Sequence, residues 1–134
     1  GVHALDEQRA GVGDLAGGMH AIDAATGTRR WKVRVDPHVA AIVTGTPQLV
    51  DDVLYVPVSS YESALPAQPG YVCCTFRGSV VALDAASGRV RWQTFTIADS
   101  ARTAGTTPGG VARKGPSGAA IWSTPTVDRA RGVL

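Results

Sequence analysis

Four kinds of residue in this chain could do chemistry. Cys73 and Cys74 are sequence neighbours. Their Cα atoms sit about 3.8 Å apart across a trans peptide, below the roughly 4.4 to 6.8 Å usual for a disulfide, so a bridge would close a strained, reducible eight-membered ring. The alternative is a pair of reduced thiols, one facing into a sheet and one outward. Arg77 follows in CCTFRG. Its planar guanidinium is able to grip a carboxylate through paired charge-assisted hydrogen bonds, and equally able to sit on the surface at the start of a strand. Glu62 is one of two glutamates, and it is either a hard oxygen donor of the type Ca²⁺ prefers or a solvated loop carboxylate. Trp122, in SGAAIWSTPTVD, offers a rigid flat face for stacking, or fills a core.

Other patterns carry less. GVGDLA at 11–16 imitates a dinucleotide fingerprint but runs into Gly17, Gly18 and a strand instead of a helix. GPSGA at 115–119 lacks the spacing of a nucleophile elbow. His3, His20 and His38 have no zinc spacing, and there is no C-x-x-C-H for a c-type haem; His38 in DPHVAA stands as a possible neighbour of a cofactor. With 44% hydrophobic and 18% charged residues the chain reads as a folded domain. A net charge of +2, with basic residues scattered singly or in pairs, argues against nucleic acid as a partner. No apolar run reaches the ~18 residues of a membrane span.

The elements that must position these residues are announced by a repeat. AIDAATGTRRW at 21–31 returns as ALDAASGRVRW at 82–92, with seven of eleven positions identical and a shift of 61 residues. Each copy follows a strand-like run entered through Gly and leads into a second alternating run, the pattern of a hairpin. Asp23 and Asp84 can accept from the turn amides, Gly27 and Gly88 can take positive φ, and the Trp can cover the seam to a neighbouring sheet. A weaker repeat pairs GTPQLVDDVLYVPV at 45–58 with STPTVDRARGVL at 123–134. The unit then has four strands, at about 40–50, 53–59, 78–85 and 89–97. Two strands of a preceding unit fall at 17–35, and the first of a following one at 119–128. No stretch shows helical periodicity, so the expected class is all-β, and four-stranded units of this kind mark a β-propeller blade. The domain reading is one propeller piece over 1–134: the end of one blade at 17–35, one full blade at 40–97 with an insertion at 60–77, and the start of another at 119–134. The absence of an initiator Met and an ending inside RGVL read as a fragment of a longer chain. A second long segment, 98–118, is rich in Gly, Thr and Ala and is expected to be flexible.

The A-x-D-x-x-[TS]-G-x-x-x-W hairpin resembles the tryptophan-docking motif of the quinoprotein propellers, the pyrroloquinoline quinone (PQQ) dependent alcohol dehydrogenases and their non-catalytic relatives. RVDPHVAAIVTGTPQLV, VPVSSYE, GYVCCTFRGSVVALDA and GPSGAAIWSTPTVD are most similar to the polyvinyl-alcohol dehydrogenase-like branch. The resemblance implies a quinone site. Cys73 and Cys74 would form a vicinal disulfide against PQQ, and Arg77 would hold its carboxylates. Trp122, off the pattern of Trp31 and Trp92, would form the floor beneath it, with Gly118, Ala119 and Ala120 allowing close approach. In blade order Thr44 corresponds to a hydroxyl on the quinone, Ser59 and Ser60 to small residues near it, and Glu62 to a Ca²⁺ ligand. One departure stands out: the cysteine pair here precedes the third strand of a blade, whereas in those enzymes it precedes the first.

The implied protein is a periplasmic bacterial dehydrogenase oxidising alcohols, secondary or polymeric ones included, with hydride transfer to the quinone and an external electron acceptor such as a cytochrome c. The catalytic base is not identified, and with no Asn in the chain any Asn ligand of Ca²⁺ lies elsewhere. The competing expectation is a non-catalytic propeller that binds proteins, as a scaffold or sensor, since fold does not fix function.

Overall fold

A computed structural model of the chain describes residues 2–6 and 8–134. Strands β1 (Val2–Asp6), β2 (Arg9–Gly13), β3 (Gly18–Asp23) and β4 (Arg29–Arg34) form one antiparallel meander in that order. The expected hairpin at 17–35 is therefore the second half of a four-stranded sheet, and β1 and β2, short Gly- and Ala-containing runs, are the strands the sequence reading did not assign. The turn between β2 and β3 is made by Asp14, whose Oδ1 accepts from the amides of Ala16 (2.8 Å) and Gly18 (2.7 Å).

The second sheet contains β5 (Ala41–Ile42), β6 (Gln48–Val50), β7 (Val53–Ser60), β8 (Ser79–Asp84) and β9 (Val90–Phe95). Strand β7 carries both β5, opposite Ser59 and Ser60, and β6, opposite Val53 to Tyr55. The single strand expected at 40–50 is thus split, and residues 43–47 leave the sheet between its two halves. Gly45 is needed there, because a Cβ would lie 2.8 Å from both the Ser123 carbonyl oxygen and the Pro57 ring.

Both hairpins close as the repeat requires. Asp23 Oδ1 accepts from the amides of Ala25 and Thr26, and Asp84 Oδ1 from the amide and hydroxyl of Ser87. Gly27 and Gly88 have φ of 72° and 74°. A bulge follows at equivalent places, Ala21/Ile22 and Ala82/Leu83. The two sheets then meet through Trp31, whose indole N–H donates to the Ala85 carbonyl at 3.1 Å while its ring lies on Gly88. Trp92, its counterpart, is 42% exposed and tilts against Tyr55 of its own sheet. Between the sheets Met19, Val35, Val43, Leu54, Val58, Phe76 and Leu83 form the core. Fully burying each large apolar side chain there contributes roughly 1.5–3 kcal/mol.

The insertion holds a short 3-10 helix, Glu62–Ala67. The segment expected to be flexible is a hairpin, β10 (Arg102–Thr106) with β11 (Ala112–Gly115). Residues 119–128, expected to open another strand, form none; Asp128 makes one isolated bridge, with Val133.

Candidate functional site

The approach to β8 is held by β11 and the chain that follows it. Residues 73–78 run parallel to 113–118: Lys114 N–H donates to the Cys73 carbonyl (2.6 Å), Cys74 N–H to that of Lys114 (3.2 Å) and Gly78 N–H to that of Gly118 (2.7 Å). Past this point the Ile121 amide donates to the Val58 carbonyl at the end of β7 (3.2 Å). These backbone bonds bring three distant segments around one cavity of about 250 Å³, walled by Ser60, Glu62, Cys74, Phe76, Trp122 and the small residues 117–120. Trp122 is 59% exposed, so its ring is a surface wall and not a core filling. Gly118 and Ala119 both hold positive φ (97° and 48°) in that wall, and a left-handed non-glycine residue is the type of local strain found at binding sites. Cys73 and Cys74 place their sulfur atoms side by side.

Glu62 is 4% exposed. Its amide donates to Ser60 Oγ (2.8 Å), which turns the chain into the 3-10 helix and aims the carboxylate inward. Oε1 accepts from the Tyr71 hydroxyl (2.9 Å) and the Thr75 amide (2.9 Å), and Oε2 from the amides of Phe76 (2.8 Å) and Thr75 (3.1 Å). His38 Nε2 stands 3.4 Å from Oε1. Burial pushes this carboxyl up, but the Thr75 and Phe76 amides and the Tyr71 hydroxyl outweigh it and hold it below its usual value. Burial and the same carboxylate push Tyr71 up to about 12.

Arg77 does not join this cavity. Its Nη1 donates to the carbonyls of Ile97 (3.1 Å) and Ala98 (2.7 Å), and its guanidinium lies 4.0 Å from the Phe95 ring centroid. It lines a separate cavity of about 340 Å³ with Asp36, His38, Thr75 and Gln93. Arg77 and Trp122, expected to grip one ligand, line different cavities: the carbonyls past β9 and an aromatic face hold Nη1 and the plane of the guanidinium. Cys73 opens onto a third cavity, about 430 Å³, with Pro66, Tyr71, Arg113 and Lys114; Cys74 borders this one too. Thr44 is exposed on the 43–47 detour and lines none of these cavities. Ser59 is buried, and its hydroxyl finds no partner among the described residues.

Of the histidines, His20 pairs with Asp14 Oδ2 at 2.7 Å and the His3 side chain lies outside the described residues. His38 accepts the Ala40 amide on Nδ1 (3.1 Å), so Nε2 carries the hydrogen and donates to Thr75 Oγ1 at 2.9 Å. Tyr71, Thr75, Phe76 and Ser117 are site residues the sequence reading missed. A Glu with a Tyr and a Thr in the same insertion was the available signal.

Residues 1–107 match the model of the PQQ repeat family described as outer membrane protein assembly factor BamB. The polyvinylalcohol dehydrogenase of Sphingopyxis sp. (strain 113P3) is 44% identical over 85% of this chain and 17% of its own length. That of a Pseudomonas species is 40% identical over 85% of this chain and 18% of its own. Among solved structures, a quinohemoprotein alcohol dehydrogenase from Pseudomonas putida HK5 superposes with a TM-score of 0.58 at 29% identity, over 72% of this chain and 13% of that one. The chain therefore spans less than a fifth of the curated relatives it matches. A four-stranded meander and a five-stranded sheet joined by a docked tryptophan, together with the match over residues 1–107, establish that the chain belongs to the β-propeller family of PQQ repeats.

Proposed function

We propose that this chain supplies one wall of a PQQ site in a dehydrogenase that oxidises alcohols, secondary and polymeric ones among them. The observation that carries the reading is the single cavity walled by both Cys74 and Trp122. An indole and Cys74 lining one cavity, with side chains no larger than methyl at 118–120, fit a planar ring system that needs close approach. The hydroxyl of Ser60, which accepts from Glu62 N–H, still has its own hydrogen to donate to an anionic edge. The Cys73–Cys74 pair serves this site as a vicinal disulfide, which implies an oxidising compartment, and the periplasm is the one proposed. PQQ, when bound, supplies a ring carbonyl as two-electron oxidant, and electrons leave to an external acceptor such as a cytochrome c.

Two expected contacts fit less well. Arg77 is engaged elsewhere, and Glu62 has both oxygens filled by protein donors, so no step is assigned to a Ca²⁺ ion at Glu62. The remaining expectations, Thr44 and Ser59, lie off the cavity.

The second reading is a protein-binding propeller without catalysis, favoured by the description of the matching family model. PQQ titrated into the full chain separates the two. Binding followed by tryptophan quenching, together with PQQ-dependent dye reduction by poly(vinyl alcohol) and by simple secondary alcohols, supports the dehydrogenase. Trp122→Ala is expected to weaken PQQ binding about 30-fold, the equivalent of ~2 kcal/mol of lost stacking area, with little effect on folding because the ring is exposed. Absence of PQQ binding by the full chain would leave the scaffold reading.

A further inference from the structure

We infer that Glu62 is the brace that fixes the Cys73–Phe76 segment against the cavity, and that it is not a ligand of a hard cation. The brace does not depend on which molecule occupies the cavity. A carboxylate has about four lone-pair directions. Those of Glu62 are met by the Tyr71 hydroxyl, the Phe76 amide and the Thr75 amide shared between both oxygens, with the Thr75 hydroxyl and His38 Nε2 both 3.4 Å from Oε1. A Ca²⁺ ion binds carboxylate oxygen directly at roughly 2.3–2.6 Å and recruits several more oxygens. Here it would have to enter where N–H groups already point.

The alternative role follows from where the donors are. Thr75 and Phe76 immediately follow the cysteine pair. Their two amides donate to Glu62, while the 113–118 backbone holds Cys73 and Cys74 through Lys114. Without an acceptor the buried Phe76 N–H and the half-buried Thr75 N–H would be orphaned. Tyr71 precedes the pair and bonds the same carboxylate, so one side chain gathers both ends of the turn that carries the cysteines. His38, with its hydrogen on Nε2, closes the fourth side through Thr75 Oγ1. Glu62 is accordingly a positioning residue.

The test compares Glu62→Gln with wild type in the full chain. Hydrogen–deuterium exchange read by mass spectrometry is expected to speed up about tenfold in the peptide spanning 71–78, as one charge-assisted acceptor is lost, while peptides from β3, β4 and β9 stay unchanged. Calcium chloride titrated calorimetrically is expected to give the same dissociation constant in both proteins, or no uptake in either. If Glu62→Gln does not fold, Tyr71→Phe, which removes one donor and leaves the charge, is expected to raise exchange in the same peptide about threefold. Unchanged exchange at 71–78, or a tenfold loss of calcium affinity confined to Glu62→Gln, would overturn the inference.

Discussion

Replacing Gly88 by Ala tests whether the docked tryptophan joins the two sheets. A Cβ at Gly88 would lie 2.6 Å from Trp31 Cε3 and 2.7 Å from Cδ2, and φ there is +74°. Two costs are superposed: about 1–2 kcal/mol for a left-handed alanine, and ~1–3 kcal/mol for pushing the indole off its seat. Together they come to about 3 kcal/mol. Only the second depends on Trp31. In a Trp31→Ala background, which itself loses the indole hydrogen bond to the Ala85 carbonyl and part of a large buried area, Gly88→Ala should cost only the backbone share. A double-mutant cycle by urea unfolding is therefore expected to show coupling of about 1–3 kcal/mol, the double variant being more stable than the sum of the singles. Equal costs of Gly88→Ala with and without the indole would refute the docking argument.

Two further outcomes follow from the same reasoning. Gly78→Ala places a Cβ 1.9 Å from the Ala119 carbonyl oxygen and 2.9 Å from Ala120 Cα; because both are backbone, the cost is expected to reach about 3 kcal/mol in a denaturant titration, and a loss below ~1 kcal/mol would contradict the parallel seating of 113–118. The Asp23 carboxyl is held at about 2 by the Arg30 guanidinium and by the Thr26 amide and hydroxyl. Its folded value lies below its unfolded one, so its contribution is present above about pH 4 and is lost as pH falls toward about 2. Asp23→Asn should flatten that acid limb in melts between about pH 5 and 2, and an unaltered acid slope would show the ion pair to be irrelevant.

What could be read from sequence was whatever is closed by near neighbours. The Asp-to-Gly turns are made by residues within five positions of each other, so the two hairpins, their positive-φ glycines and the tryptophan on the outgoing strand were all legible. The split of the strand at 40–50 was not, because it depends on Ser123, almost eighty residues away, pressing on Gly45. Nor was the ordering of 98–118: its Gly and Thr content looks mobile until β11 is seen to hold the cysteine segment through backbone bonds.

The same division runs through the site. Sequence alone put a cysteine pair and an Arg ahead of the strand at 78–85, a Glu just past the one at 53–59 and an off-pattern indole in the segment at 119–128. Only the tertiary structure decided which of them meet. Gly27 and Gly88 are indistinguishable as sequence, yet a Cβ at Gly88 meets the Trp31 ring and one at Gly27 meets nothing within 4 Å among the described residues. Arg77 turns from Trp122 because the carbonyls of Ile97 and Ala98 are within its reach, and Glu62 is consumed by amides thirteen and fourteen residues later. A long polar side chain goes where unpaired groups await it in space, and that information resides in the packing of the sheets, not in the spacing of the letters.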